Sequence, residues 1–186
     1  MANPFEGLKT ARPSINRYIR SGHYLARIDA VKLAKNRTDG DIFAIEMTNV
    51  YTFPDGEQPK GGQPFHSVGE AFSEVISRAG SKDMYLPRIK GFIMSVLNAT
   101  EDQVDETVAM QVTDQAVQPL KGLVIELVGK NAKTKVNQKD IVRIDWAGQV
   151  PVARLRSLVP AAVLAQSFDD AALAALDGRQ KAMGVG

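Results

Sequence analysis

The sequence predicts a β-rich α+β fold with one or two helices and extended termini. Three features lead to it. Residues 22–53 alternate in the period of a strand on either side of the turn-rich Asn36-Arg37-Thr38-Asp39-Gly40. The runs LVIELVG and IVRIDWAG, rich in β-branched residues, flank the polar KNAKTKVNQKD. One segment, residues 86–98, carries apolar side chains at helical spacing, with Ile89, Phe92, Ile93, Val96 and Leu97 at i, i+3, i+4, i+7 and i+8.

Taken in order, residues 1–21 read as an arm, because Pro4, Gly7 and Pro13 interrupt any regular period. HYLARIDAVKLAK and DIFAIEMTNVYTF then form a long hairpin, with both faces of its first strand partly apolar. Residues 54–64, with three prolines and three glycines, form an exposed loop and a candidate flap. A third strand is expected within residues 65–75, although Gly69 weakens it. In the helix over 86–98, Pro87 falls in the first turn, where a missing N–H costs nothing. Thr100 and Gln103 have the spacing of a capping box and start a second helix, with Val104, Val108, Val112 and Ala116 as its apolar positions. A second hairpin spans the two β-branched runs. Beyond Pro151 come short helices and a frayed tail over 178–186.

The 186 residues suit one ordinary domain, and 44% hydrophobic and 24% charged residues are ordinary for a globular chain. No cysteine is present, which excludes disulfides, zinc-thiolate sites and thiol catalysis and fits a reducing compartment, the cytoplasm by default. The N-terminus has no apolar run for a signal peptide, and the apolar stretch over 158–165 is too short to cross a bilayer. The two histidines, His23 beside Gly22 at a strand start and His66 beside the glycine-rich loop, read as turn or surface residues. With no HExxH, GxSxG or phosphate-loop spacing, the expectation is a binding protein with no catalytic residues, no metal and no cofactor. The acidic residues at 101–106 read as the start of a helix rather than a cation site.

Charge is unevenly spread. Residues 1–37 hold eight cations against two carboxylates, and residues 121–143 hold six against two. Folded side by side, these segments make a positive surface for a polyanion. The aromatic residues among them, with the strand-borne cations, form the mixture that single-stranded nucleic acid requires, since cations follow phosphates and rings stack on bases. Tyr51 and Trp146, near strand ends, are the foremost stacking candidates.

The segments SGHYLARIDAVKLAKNRTDGDIFAIEMTNV, RIKGFIMSVLN with TEDQVDE, and GLVIELVGKN with IVRIDWAG resemble the layout of phage-encoded OB-fold proteins that bind single-stranded DNA, over roughly residues 20–148. The resemblance implies a five-stranded OB-like barrel with a helix closing one end. It divides the chain into an arm (1–21), an OB-like domain (22–150) and a C-terminal helical or flexible extension (151–186). It further implies sequence-independent binding and protection of single-stranded DNA in phage replication or recombination, in the host cytoplasm. The expected interface comprises Arg17, Arg20, Tyr24, Arg27, Lys32, Lys35, Arg37, Tyr51, Phe53, Lys130, Lys133, Lys135, Arg143 and Trp146. The chain ends DGRQKAMGVG, without the acidic tail by which many such proteins recruit partners. The competing reading is a virion or assembly component whose β core associates with copies of itself.

Overall fold

The computed structural model describes residues 18–36, 40–78, 82–134 and 137–185. Its centre is a five-stranded antiparallel sheet of β1 (Gly22–Asn36), β2 (Gly40–Phe53), β3 (Ala71–Ser77), β4 (Val124–Lys133) and β5 (Asp140–Gln149), in the order β3-β2-β1-β4-β5. The chain is thus a β-rich α+β fold. The sheet is not closed: β3 and β5 are its two ends. Helix α1 (Lys82–Leu97) packs on both of them. Phe92 of α1 sits edge-on to Phe43 at 5.9 Å and to Trp146 at 5.0 Å, and the Ser95 hydroxyl donates to the Trp146 carbonyl.

Alternation along the strands gives the sheet two different faces. The inner face holds Tyr24, Ala26, Ile28, Phe43, Ile45, Met47, Phe72, Ile76, Ile125 and Leu127, all buried. The outer face carries His23, Leu25 and Arg27 of β1, Tyr51 and Phe53 of β2, and Val124, Glu126, Val128 and Lys130 of β4. Leu25 and Val124 point outward yet are fully buried. The chain beyond β5 lies over them as α3 (Val152–Leu158), α4 (Ala161–Leu164) and α5 (Asp170–Ala182). Arg27 donates to the Ser167 carbonyl at 3.3 Å with its guanidinium 5.9 Å from the Phe168 ring centre, and Arg154 pairs with Glu126 at 2.7 Å. The buried Gln180 accepts from Val152 N–H and donates to the Val150 carbonyl. Residues 178–182, expected to fray, therefore continue α5 and anchor it.

Several expected boundaries shift for local reasons. Four helical residues precede Leu86, so Pro87 falls inside α1 rather than in its first turn and costs the helix one hydrogen bond. The third strand begins at Ala71, after a turn in which Gly69 takes φ +78°. Gln103 does accept the Thr100 N–H at 2.9 Å, but Val104 is extended, so the box closes only a single turn, Glu101–Gln103. Helix α2 (Glu106–Val112) starts afresh, with the Asp105 carboxylate capping Val108 N–H. Residues 18–21 of the expected arm belong to the sheet: Tyr18 bridges to Ser73, and Ile19 is buried. Gly56 lets the turn after β2 press against β1, since a Cβ there would stand 2.4 Å from the His23 nitrogen.

Glu74 is a carboxylate on the inner face of β3, 7% exposed and paired with Arg88 of α1. Burial pushes its pKa up to about 7, against the opposing pull of Arg88. The native state therefore holds a proton on Glu74 that the unfolded chain has released between about pH 4.5 and 7. Stability is expected to fall as pH rises through that window, by about 1–3 kcal/mol. Urea midpoints at pH 5 and pH 8 measure the drop, and Glu74→Gln should abolish most of it. An equal drop in that variant would place its source elsewhere.

Candidate nucleic-acid interface

At the end of the sheet where β1 begins, the outer face carries a cluster of rings. His23 and Phe53 are register partners, so their side chains emerge side by side, stacked at 4.0 Å and 26°. Tyr51, one step along the same face, meets Phe53 edge-on at 5.1 Å. All three are half-buried, so part of each ring surface faces solvent. His23 is fixed at both ring nitrogens, by Asp55 at 3.0 Å and Glu126 at 2.9 Å.

Beside this cluster the β4–β5 hairpin overhangs the sheet, because β1 pairs with β4 only from Gly22 opposite Gly129 to Arg27 opposite Val124. Lys130 and Arg143 are register partners on the outer face of the overhang. Lys130 pairs with Asp145 at 2.8 Å, and Arg143 lies 3.9 Å from the same carboxylate with 77% of its side chain exposed. Lys133 and Lys139 are exposed and make no ion pair among the described residues. The loop over 54–64 braces this hairpin instead of forming a free flap. Glu57 accepts from both the backbone and side-chain nitrogens of Asn131, the Gln58 carbonyl accepts from Ser21 and Asn131, and Lys60 pairs with Asp140 at 2.5 Å. That last contact holds the Asp140 carboxyl below its usual pKa.

The other expected cations lie elsewhere. The β1–β2 hairpin overhangs the opposite end of the sheet, carrying Lys32, paired with Glu46 at 2.7 Å, and the exposed Lys35. Counted along β1 and β4, the path from Lys35 to Lys133 runs about 56 Å at 3.3 Å per residue, toward opposite ends of β1. The two basic segments do not line one groove. Arg27 is spent on Asp29 at 3.1 Å and on the covering C-terminal segment. Arg17, Arg37 and Lys135 lie outside the described residues.

Three expected contact residues are structural. Tyr24 is fully buried on the inner face, where its hydroxyl donates to the Ser21 carbonyl at 2.8 Å and burial raises its pKa. Trp146 is opposite Leu127 on the inner face, its half-buried ring held against Phe92. Arg20 is locked into a network that sequence reasoning missed. Its backbone N–H donates to His66 Nε2 at 3.0 Å and its guanidinium pairs with Glu70 at 2.5 Å. The other ring nitrogen, Nδ1, lies 2.8 Å from Arg20 Nη2 and 3.1 Å from Glu70 Oε1. Burial raises the Glu70 pKa, but Ser67 N–H, His66 and Arg20 together outweigh it, and the net shift is downward. Asn49 extends the network by donating to Thr52 and to the His66 carbonyl, each at 2.8 Å. His66, expected at a surface turn, is 2% exposed.

Among the described residues, no group of three or more His, Asp or Glu side chains is arranged to hold a metal ion, and no helix is long and apolar enough to cross a membrane. No protein-family model matches the chain, and no curated protein matches it in sequence.

Proposed function

We propose that this protein binds single-stranded DNA without sequence preference, at the end of the sheet formed by His23, Phe53, Tyr51 and the β4–β5 hairpin. The observation that carries the reading is the half-buried stacked pair His23–Phe53, with Tyr51, beside a projecting hairpin that bears Lys130, Lys133, Lys139 and Arg143. Phosphates neutralised by the hairpin release counterions, and bases stack on the rings at about 1–3 kcal/mol each. Stacking is indifferent to base identity, because every base has a π face. The strand order, with β1 between β2 and β4 and a helix between the end strands, favours an opened OB-like barrel, a scaffold suited to this task. The role that fits is binding and protection of single strands during phage replication or recombination in the host cytoplasm, with no catalytic step.

Phe53→Ala is expected to weaken binding to an oligothymidine about tenfold, read by anisotropy of a labelled strand, while leaving the salt dependence unchanged. Full affinity in Phe53→Ala and Tyr51→Ala alike would remove the rings from the interface.

A further inference from the structure

The C-terminal segment does more than cover the sheet. From Arg154 a chain of contacts leads to the ring cluster: Arg154 Nη2 meets Glu126 Oε2 at 2.7 Å, Glu126 Oε1 meets His23 Nε2 at 2.9 Å, and His23 stacks on Phe53 at 4.0 Å. Glu126 is only 13% exposed and is neutralised by Arg154, whose own side chain is 54% exposed. A guanidinium has five donors. One of Arg154's is used on Glu126, which leaves others for solvent. Lys130 lies on the same face as Glu126 and four residues further along β4, about 13 Å away at 3.3 Å per residue. Val128 falls between Glu126 and Lys130, level with His23 and Phe53 across the sheet, and Tyr51 is level with Glu126.

We infer that Arg154 of α3 supplies the second phosphate contact of the interface, so that a single strand crossing the rings is held by Lys130 and Arg143 at one side and by Arg154 at the other. This rests on the proposed function and assigns part of the site to a segment outside the 22–150 region. Arg27 is held by Ser167 and Phe168, and Lys32 lies on the half of β1 beyond its pairing with β4, away from the rings.

The same helix provides an internal control. Arg156 lies two residues on, about 200° round the helix, and lines the groove between α3, α4 and α5 with Val159, Leu164 and Phe168. It makes no ion pair among the described residues, so its removal changes net charge by the same amount.

The test titrates oligothymidine into wild type, Arg154→Gln, Arg154→Lys and Arg156→Gln over a salt series. Glutamine keeps a donor for Glu126, so the fold is preserved, and thermal midpoints check this. Arg154→Gln is expected to reduce the slope of log affinity against log salt by about 0.7 and to weaken binding about fivefold at 0.1 M salt. Arg154→Lys should restore the slope, and Arg156→Gln should match wild type. A wild-type slope in Arg154→Gln, or an equal loss in Arg156→Gln, overturns the assignment and leaves the proposed function standing. No binding by wild type overturns both.

Discussion

Replacing His66 with alanine is expected to destabilise the protein by about 3–4 kcal/mol, because it combines a cavity with buried groups left unpaired. The imidazole is 2% exposed, stacks on Phe72 at 4.4 Å and packs against Tyr24 at 5.4 Å, so its removal opens space in the inner core. The Arg20 N–H would lose its acceptor, and Arg20 Nη2 and Glu70 Oε1 would both lose their contact with Nδ1. Arg20 Nε and Asn49 Oδ1 are buried without partners even in the intact network, so the substitution adds to groups already unsatisfied. Urea unfolding measures the loss as a fall in midpoint at constant slope. A stability within about 0.5 kcal/mol of wild type would show that the network contributes little to folding.

Reversing charge on the β4–β5 hairpin, as Lys130→Glu with Arg143→Glu, is expected to weaken single-strand binding on the order of 100-fold at 0.1 M salt. Loss of two phosphate contacts alone reduces the salt slope by about 1.4 and affinity about 25-fold, and the introduced repulsion adds to it. Both side chains are exposed, so folding should be unaffected apart from a loss of up to about 1 kcal/mol from the exposed Lys130–Asp145 pair. Lys32→Glu with Lys35→Glu makes the same charge change at the opposite end of the sheet and should alter binding far less. Equal losses in the two pairs would mean that net charge, rather than the hairpin, governs affinity.

The strands and main helix were legible because their signals are local. Alternation and the turn residues around Gly40 mark β1 and β2, β-branched runs mark β4 and β5, and the spacing of Ile89, Phe92, Ile93 and Val96 marks α1. The site was legible only in part, since its assembly depends on pairing between distant residues. Whether the basic segments adjoin is decided by Gly22 standing opposite Gly129, which sends the two hairpins to opposite ends of the sheet. Tyr24 and Leu25 are neighbours on opposite faces, and both are buried because the C-terminal helices cover the face that alternation alone leaves open. The Arg20, His66 and Glu70 network joins residues 46 and 50 positions apart, and a histidine next to a proline- and glycine-rich loop gives no local sign of burial. Of the two strand-end rings the sequence singles out, Tyr51 lies in the cluster and Trp146 packs on Phe92, whereas the stacking of His23 on Phe53 required the register.

The central claim is tested most directly by titrating the full chain into a labelled oligothymidine at about 50 and 300 mM salt, with a duplex of equal length as control. Binding to the single strand that weakens steeply at the higher salt, and exceeds binding to the duplex, is the expected result. No binding at either salt, with the protein forming stable oligomers on its own, would contradict it and point to a self-associating structural component.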